Sequence, residues 1–254
     1  MRKSPEQFAA QLIDELDLNA RARAGARERG GRAYVALNMI STADGRATLS
    51  GRSGAIGDDA DKHLFLGLRT IVDGVMAGAG TVRAEGYHRL IRDPAARERR
   101  QERGLAPEPL ACIVSGRLAL DGSVPLLDEP RARVAIVTSS RASLPQGCRA
   151  QIEYVRSERD GQLDLAAALR ELRASFQIET LLCEGGPHLN ANLLAAGLVD
   201  ELFLSLAPTL AGGDATSESL RIVSGVDLQP PVAMELLSSH SYESHLFLRY
   251  KILK

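Results

Sequence analysis

The chain has 254 residues, 44% hydrophobic and 25% charged, with a formal net charge of −1. That length and apolar content suit one large α/β domain, or at most two small ones, with a sizeable core. The near-neutral balance excludes a general affinity for nucleic acid or anionic membrane, which needs a basic excess.

In chain order, Ser4-Pro5-Glu6-Gln7 is a helix start: serine caps, proline suits the first position, and Gln7 completes a capping box. Phe8, Leu12 and Leu16 give that helix one apolar stripe. The basic stretch "NARARAGARERGGR" follows, so residues 1–30 read as an appended helical arm, with a solvated, partly disordered leader as the alternative, before a main domain of residues 31–254. "AYVALNMI" reads as a strand, and "STADGRATLSGRSGAIG" as a loop rich in turn residues. Asp58 or Asp59 can cap the next helix, in which Leu64, Leu68 and Ile71 keep helical spacing. "GVMAGAG" is a short buried strand ending in glycines, and "TVRAEG" starts a helical turn. Residues 92–109, "RDPAARERRQERGLAPEP", interleave arginine with glutamate between prolines, which reads as a solvated surface excursion.

Three apolar runs of strand length come next, "LACIVS", "RVAIVTS" and "IEYVR". "LDLAAALRELRASF" is an amphipathic helix. The strand "ETLLCEGG" leads into the helix "HLNANLLAAG", with Gly197 in the closing position. "DELFLSLAPTL" is a strand before Gly212-Gly213. The tail "VAMELLSSHSYESHLFLRYKIL" reads as two strands joined by a polar turn. Strands alternating with helices imply a mainly parallel sheet, made mixed by the closing hairpin.

Chemistry is suggested by glycines at strand ends. Gly78-Ala79-Gly80 and Glu184-Gly185-Gly186 each precede a helix, where backbone N–H groups can approach an anion closely. The G-x-G-x-x-G fingerprint is not met, because Arg83 stands where its third glycine would fall. The five histidines form no H-E-x-x-H, no serine sits in G-x-S-x-G, and no Walker A lysine is present. Cys112, Cys148 and Cys183 are far apart; a sparse, odd set suits a reducing compartment, and none shows metal-ligand spacing. No metal is expected. No run approaches the roughly 18 apolar residues of a membrane span, and the acidic N-terminal stretch does not read as a secretory signal. A cytoplasmic protein with no membrane association is expected.

Four stretches carry a resemblance: "YVALNMISTADGRAT", "LRTIVDGVMAGAGTVRAEG", "IVSGRL" and "LLCEGGPHLNANLLAAGLVDELFLSLAPTLAGG". Their order resembles the reductase family of riboflavin biosynthesis, meaning the C-terminal domain of the bacterial bifunctional deaminase–reductase and its stand-alone relatives. The resemblance runs from about residue 34 to 213. It implies a dihydrofolate-reductase-like α/β fold, NADPH as cofactor, a phosphorylated pyrimidine as substrate, and a homodimer. Residue by residue, Gly78, Gly80, Thr81 and Glu85 match the cofactor strand end, although aspartate is more usual at the last of these. Ser115, Gly116 and Arg117 match a turn near the adenosine phosphates. Gly185, Gly186, Pro187 and His188 match the turn over the pyrophosphate. Asp44, Ser53, Arg69 and Arg92 match positions lining the ribose-phosphate pocket, and Glu184 matches a carboxylate beside the reacting carbon. The plain alternative for Arg69 is a helix-surface ion pair, and for Glu184 a helix cap.

One departure stands at Asn38, where many bacterial members have lysine. Asparagine donates a hydrogen bond but supplies no charge. The deaminase signature is absent. The expected reaction is reduction of the ribosylamino group of 5-amino-6-(5-phosphoribosylamino)uracil to ribitylamino, with Glu184 and Asn38 at the reacting carbon. Reduction of another heterocycle such as dihydrofolate, and a non-catalytic NADPH-binding protein, are the alternatives.

Overall fold

The computed structural model describes residues 3–49, 51–212 and 220–253. In chain order the elements are α1 (Pro5–Asp14), α2 (Leu18–Ala24), β1 (Tyr34–Thr42), α3 (Asp59–Arg69), β2 (Gly74–Gly78), α4 (Ala79–Ala84), α5 (Pro94–Glu102), β3 (Leu110–Val114), β4 (Arg133–Thr138), β5 (Gln151–Arg156), β6 (Glu158–Arg159), β7 (Gln162–Leu163), α6 (Leu165–Phe176), β8 (Thr180–Cys183), α7 (Pro187–Ala195), β9 (Glu201–Ala207), β10 (Met234–Tyr242) and β11 (His245–Ile252). Among the described residues, nine strands form one mixed sheet in the order β10-β11-β9-β1-β8-β2-β3-β4-β5. The alternation of strand and helix and the closing hairpin agree with the sequence reading. The small β6–β7 hairpin was not foreseen, because two polar residues a side leave no period to read.

Two compact units divide the chain. One takes the described residues of Met1–Leu16, Val35–Leu68 and Cys183–Lys254. Here β1 runs parallel to β9, β9 pairs antiparallel with β11, and β11 pairs antiparallel with β10. The capping box at Ser4 and Gln7 is formed, and α1 buries Phe8, Ala9, Leu12 and Ile13. Phe8 packs 4.9 Å from the Tyr242 ring and 5.1 Å from that of Phe247. Helix α1 also lies close on α3: a Cβ added to Gly67 would stand 2.9 Å from Ile13 Cγ1. Across the strands, Asn38, Phe203 and Arg249 share one row, and the Arg249 guanidinium donates to both oxygens of the fully buried Glu201 at 2.7 and 3.0 Å.

The other unit takes Asp17–Tyr34 and Arg69–Leu182. Strands β2, β3, β4 and β5 are parallel neighbours. Parallel strands are covered on both faces and so read as continuous apolar runs; β2, β3 and β4 bury nearly every residue. Helix α6 is capped by the Asp164 carboxylate, which accepts from Ala167 N at 2.9 Å, and it buries Ala168, Leu169 and Leu172. The Asp73 carboxylate accepts from Thr180 N and Oγ1, both at 2.8 Å, and from Glu179 N at 3.1 Å, tying the start of β2 to the start of β8.

The stretch 92–109 corrects the sequence reading. It is not a uniformly solvated excursion: it contains α5, and Arg100 in that helix is fully buried. The Arg100 Nη1 donates to Arg69 O and Val72 O and its Nε to Ala106 O, all at 2.8 Å. Mixed-sign charge gave no hint, because three backbone carbonyls from outside α5 meet its Nε and Nη1, while its Nη2 is buried with no hydrogen-bond partner among the described residues.

Replacing Arg249 by Met leaves the buried Glu201 carboxylate without the guanidinium that donates to both its oxygens. The expected loss is about 3 kcal/mol of unfolding free energy by urea titration, and a loss under about 1 kcal/mol would show that the pair contributes little.

Candidate active site

In the second unit, Gly78 faces Val114 across β2 and β3, and Val114 faces Val137 across β3 and β4. The residues that follow these three strands therefore leave the sheet at one edge. After β2, Gly78 caps α4 with extended backbone and no side-chain hydrogen bond, so no capping side chain takes up the N–H groups of its first turn. A Cβ on Gly80 would meet no atom within 4 Å. Open space beside that backbone suits a close-lying ligand. Thr81 and Glu85 stand four residues apart, on one face of the turn, with Glu85 exposed at the helix C-cap.

After β3, Ser115 to Leu118 form a tight turn. Ser115 Oγ accepts from Ala119 N at 2.8 Å, Leu118 N donates to Ser115 O at 3.0 Å, and Leu118 takes φ 53°. After β4, Thr138 Oγ1 and Ser139 Oγ both donate to Gly116 O at 3.0 Å. These two hydroxyls lock the turn, and the sequence reading missed them. Their signal was the Thr-Ser pair at the end of "RVAIVTS". Arg117 is exposed at the tip of the turn, a permanent cation suited to a phosphate.

Arg69 ends α3 and is only 8% exposed. It is therefore buried, not on the helix surface as the plain alternative has it. Its Nη1 donates to Leu90 O at 3.2 Å, and its guanidinium lies 5.4 Å from the centroid of Tyr87. Arg92, two residues beyond Leu90, is exposed.

In the first unit, Glu184 follows β8 and is 7% exposed. The capping position of α7 belongs to Gly186, with Pro187 at the first helical position, so Glu184 is not the cap. Gly185 has φ +87°, open to glycine at little cost, and the Gly185–Gly186 peptide is cis. The turn is held from behind by Asn190, whose Nδ2 donates to Ile222 O at 2.8 Å and lies 3.2 Å from Met39 Sδ. Ser224 N donates to Pro187 O at 3.3 Å. A Cβ on Gly225, at φ +91°, would collide with the exposed His188 imidazole. The segment 222–225 thus clasps the glycine turn through backbone atoms, which no residue pattern announces. The adjoining Cys183 is no nucleophile: burial pushes its thiol up to about 12.

Asn38 is half-buried on β1, and its carboxamide takes no partner among the described residues. Asp44 is engaged by its own unit: Thr42 Oγ1 donates to it, as do Ala211 N at 3.1 Å and Gly212 N at 2.6 Å. Those three hydrogen bonds, the Thr42 hydroxyl first, hold its carboxyl down at about 2. Asp44 therefore anchors the segment after β9. Ser53 is half-buried in the preceding loop, where its carbonyl accepts from Ile56 N at 2.9 Å. Gly213 lies outside the described residues. Among the described residues, no group of three or more His, Cys, Asp or Glu could hold a metal ion, and no helix is long and apolar enough to cross a membrane.

The fold is shared with solved reductase-like structures. A pyrimidine reductase-like protein from Corynebacterium diphtheriae superposes with a TM-score of 0.75 at 22% identity, covering 99% of this chain and all of that one. A deaminase/5-amino-6-(5-phosphoribosylamino)uracil reductase from Thermotoga maritima gives 0.72 at 22%, over 92% of this chain and 60% of that one. The architecture is thus the mixed, mainly parallel sheet of the dihydrofolate-reductase-like class. Within it, the chain belongs to the RibD C-terminal domain family, whose model matches residues 33–248. A 2,5-diamino-6-ribosylamino-4(3H)-pyrimidinone 5′-phosphate reductase of Archaeoglobus fulgidus is 30% identical over 189 residues, 72% of this chain and 83% of that protein. Its namesake in Methanothermobacter thermautotrophicus is 28% identical over 227 residues, 87% and 99%.

Two measurements check the local geometry. Asp44 has a folded value below its ordinary 3.8, so its anchor is fully present above that pH and is lost as pH falls through about 2. Amide resonances of Ala211 and Gly212 should titrate with a midpoint near 2, and a midpoint near 4 would show an unheld carboxylate. Gly225→Ala should displace the His188 ring and cost roughly 1–3 kcal/mol, from the strained backbone and the clash together; unchanged His188 resonances in that variant would contradict the packing described.

Proposed function

We propose that this chain is an NADPH-dependent reductase that converts the ribosylamino group of a pyrimidine 5′-phosphate into ribitylamino in riboflavin biosynthesis. The observation that carries the reading is the edge beyond β2, β3 and β4. There an uncapped glycine turn, the open space beside Gly80, and the Ser115–Arg117 turn locked by Thr138 and Ser139 present N–H groups and the exposed Arg117 guanidinium. That is the donor set a dinucleotide phosphate requires. Gly78, Gly80, Thr81 and Glu85, the Ser115–Arg117 turn, and the turn from Gly185 to His188 are assigned to the cofactor. When bound, the reduced nicotinamide supplies the hydride for C1′ of the opened sugar.

The chain's own residues do the rest. Asn38 offers a half-buried amide donor to the sugar, and Glu184 a nearly buried carboxylate that orients it. Arg69 and Arg92 hold the 5′-phosphate as fixed cations. Asp44 and Ser53 are assigned to the ribose-phosphate pocket, Asp44 acting through the segment it anchors. A homodimer in the cytoplasm completes the proposal. The exposed Met234 and Leu236 on the sheet-edge strand β10 support the first part, and the free cysteines the second.

Two substrates fit, differing at C2 of the pyrimidine. The uracil form is the one the motifs suggest, and the 2,5-diaminopyrimidinone form is favoured by the names of the Archaeoglobus and Methanothermobacter relatives. NADPH oxidation followed by absorbance with each substrate, with its dephosphorylated form and with dihydrofolate decides among them. Turnover of one phosphorylated pyrimidine is expected, and NADPH binding without turnover of any would refute catalysis. In Arg69→Ala, KM for the phosphorylated substrate should rise roughly tenfold or more, the loss of a charge-assisted contact, with NADPH affinity preserved. Equal loss of both would remove Arg69 from the phosphate site.

A further inference from the structure

The two arginines assigned to the substrate phosphate share a feature that their own positions do not explain: each has its backbone gripped by another arginine, and both grips come from α5. Asp93 caps that helix, accepting from Ala95 N at 3.0 Å and Ala96 N at 3.1 Å, and Pro94 occupies its first position. Arg97 and Arg100 stand three residues apart, hence on neighbouring parts of one face. The Arg97 Nη1 donates to Ile91 O at 3.0 Å and to Arg92 O at 2.9 Å. The Arg100 Nη1 donates to Arg69 O and Val72 O, both at 2.8 Å. Arg69 O belongs to the last turn of α3, where carbonyls have no partner within the helix. Arg69 in turn reaches back to Leu90 O and stacks by Tyr87, so residues 87–92, the end of α3 and α5 close into one hydrogen-bonded frame.

A surface charge run needs none of this. Arg100 is completely buried, at a desolvation cost that lowers its guanidinium from 12.5 to about 10, against support from Asp73 and Glu108. Lysine could not reproduce the arrangement, because a single ammonium lacks the planar fork that meets Ala106 O with Nε while Nη1 meets the other two carbonyls.

We infer that α5 is a positioning clamp for substrate phosphate recognition, in which Arg100 fixes the backbone of Arg69 and Arg97 that of Arg92. Neither clamp residue is assigned to touch the substrate. The inference rests on the reading that Arg69 and Arg92 hold the phosphate, and the test separates the two ideas.

The test compares kcat/KM for the phosphorylated and dephosphorylated pyrimidine in full-length Arg97→Ala and Arg100→Lys. Arg97→Ala is the safer variant, since Arg97 is half-buried whereas Arg100 lies in the core. Each should lower the preference for the phosphorylated substrate roughly tenfold, the scale on which slight misplacement of a binding group acts, through KM and not kcat. Arg97→Ala should add nothing further in an Arg92→Ala background, nor Arg100→Lys in Arg69→Ala, because each clamp acts only through its partner. Equal losses on both substrates, or full additivity in the double variants, would overturn the clamp and leave the phosphate reading intact. If Arg69→Ala and Arg92→Ala themselves leave the preference unchanged, the phosphate reading fails and the clamp with it.

Discussion

The parallel pairing of β2, β3 and β4 is the constraint on which the candidate site depends. Parallel neighbours run in one direction, so whatever follows each strand emerges on the same side. The register Gly78–Val114–Val137 aligns the three exits to the residue. Apolar burial alone would have allowed these strands to slip; a slip by one position would turn every buried side chain to the other face. The register therefore fixes the core and, by the same stroke, places the glycine turn, the Ser115–Leu118 turn and the Thr138–Ser139 hydroxyls side by side. The arrangement of this edge is a consequence of how the core packs.

In each unit, rigidity near the candidate residues comes largely from polar side chains that bind backbone. In the second unit Thr138 and Ser139 bind a carbonyl of the neighbouring turn, and Arg97 and Arg100 grip backbone. In the first, Asn190 braces the Gly185–Gly186 turn and Asp44 holds the segment after β9. Each satisfies groups that could not be left bare in a half-buried place. This explains why loops rich in glycine can still present donors at fixed positions: the freedom of the backbone is removed from outside the turn.

Much of this was legible in the residues. Alternating apolar runs and amphipathic stretches marked the strands and helices, the Ser4–Gln7 box marked the first helix, and the glycine endings marked where the strands stop. What stayed hidden has a common cause. Arg100 looks like its exposed neighbours Arg99 and Arg103 in a charged stretch, and only the carbonyls of Arg69, Val72 and Ala106, brought from up to 31 residues away, make its burial possible. Gly225 looks like any loop glycine, and only the His188 ring packed on it shows why a side chain does not fit.

The sequence by itself determined the order of strands and helices, the family, and the residue types at the strand ends, because periodicity, capping and motif spacing are local properties of the chain. The three-dimensional fold alone decided which arginines brace the backbone, which hydroxyls lock a turn, and that Asp44 serves as an anchor. Those roles depend on partners distant in the chain, and a charged or polar side chain takes its meaning from whether such a partner or water stands opposite it.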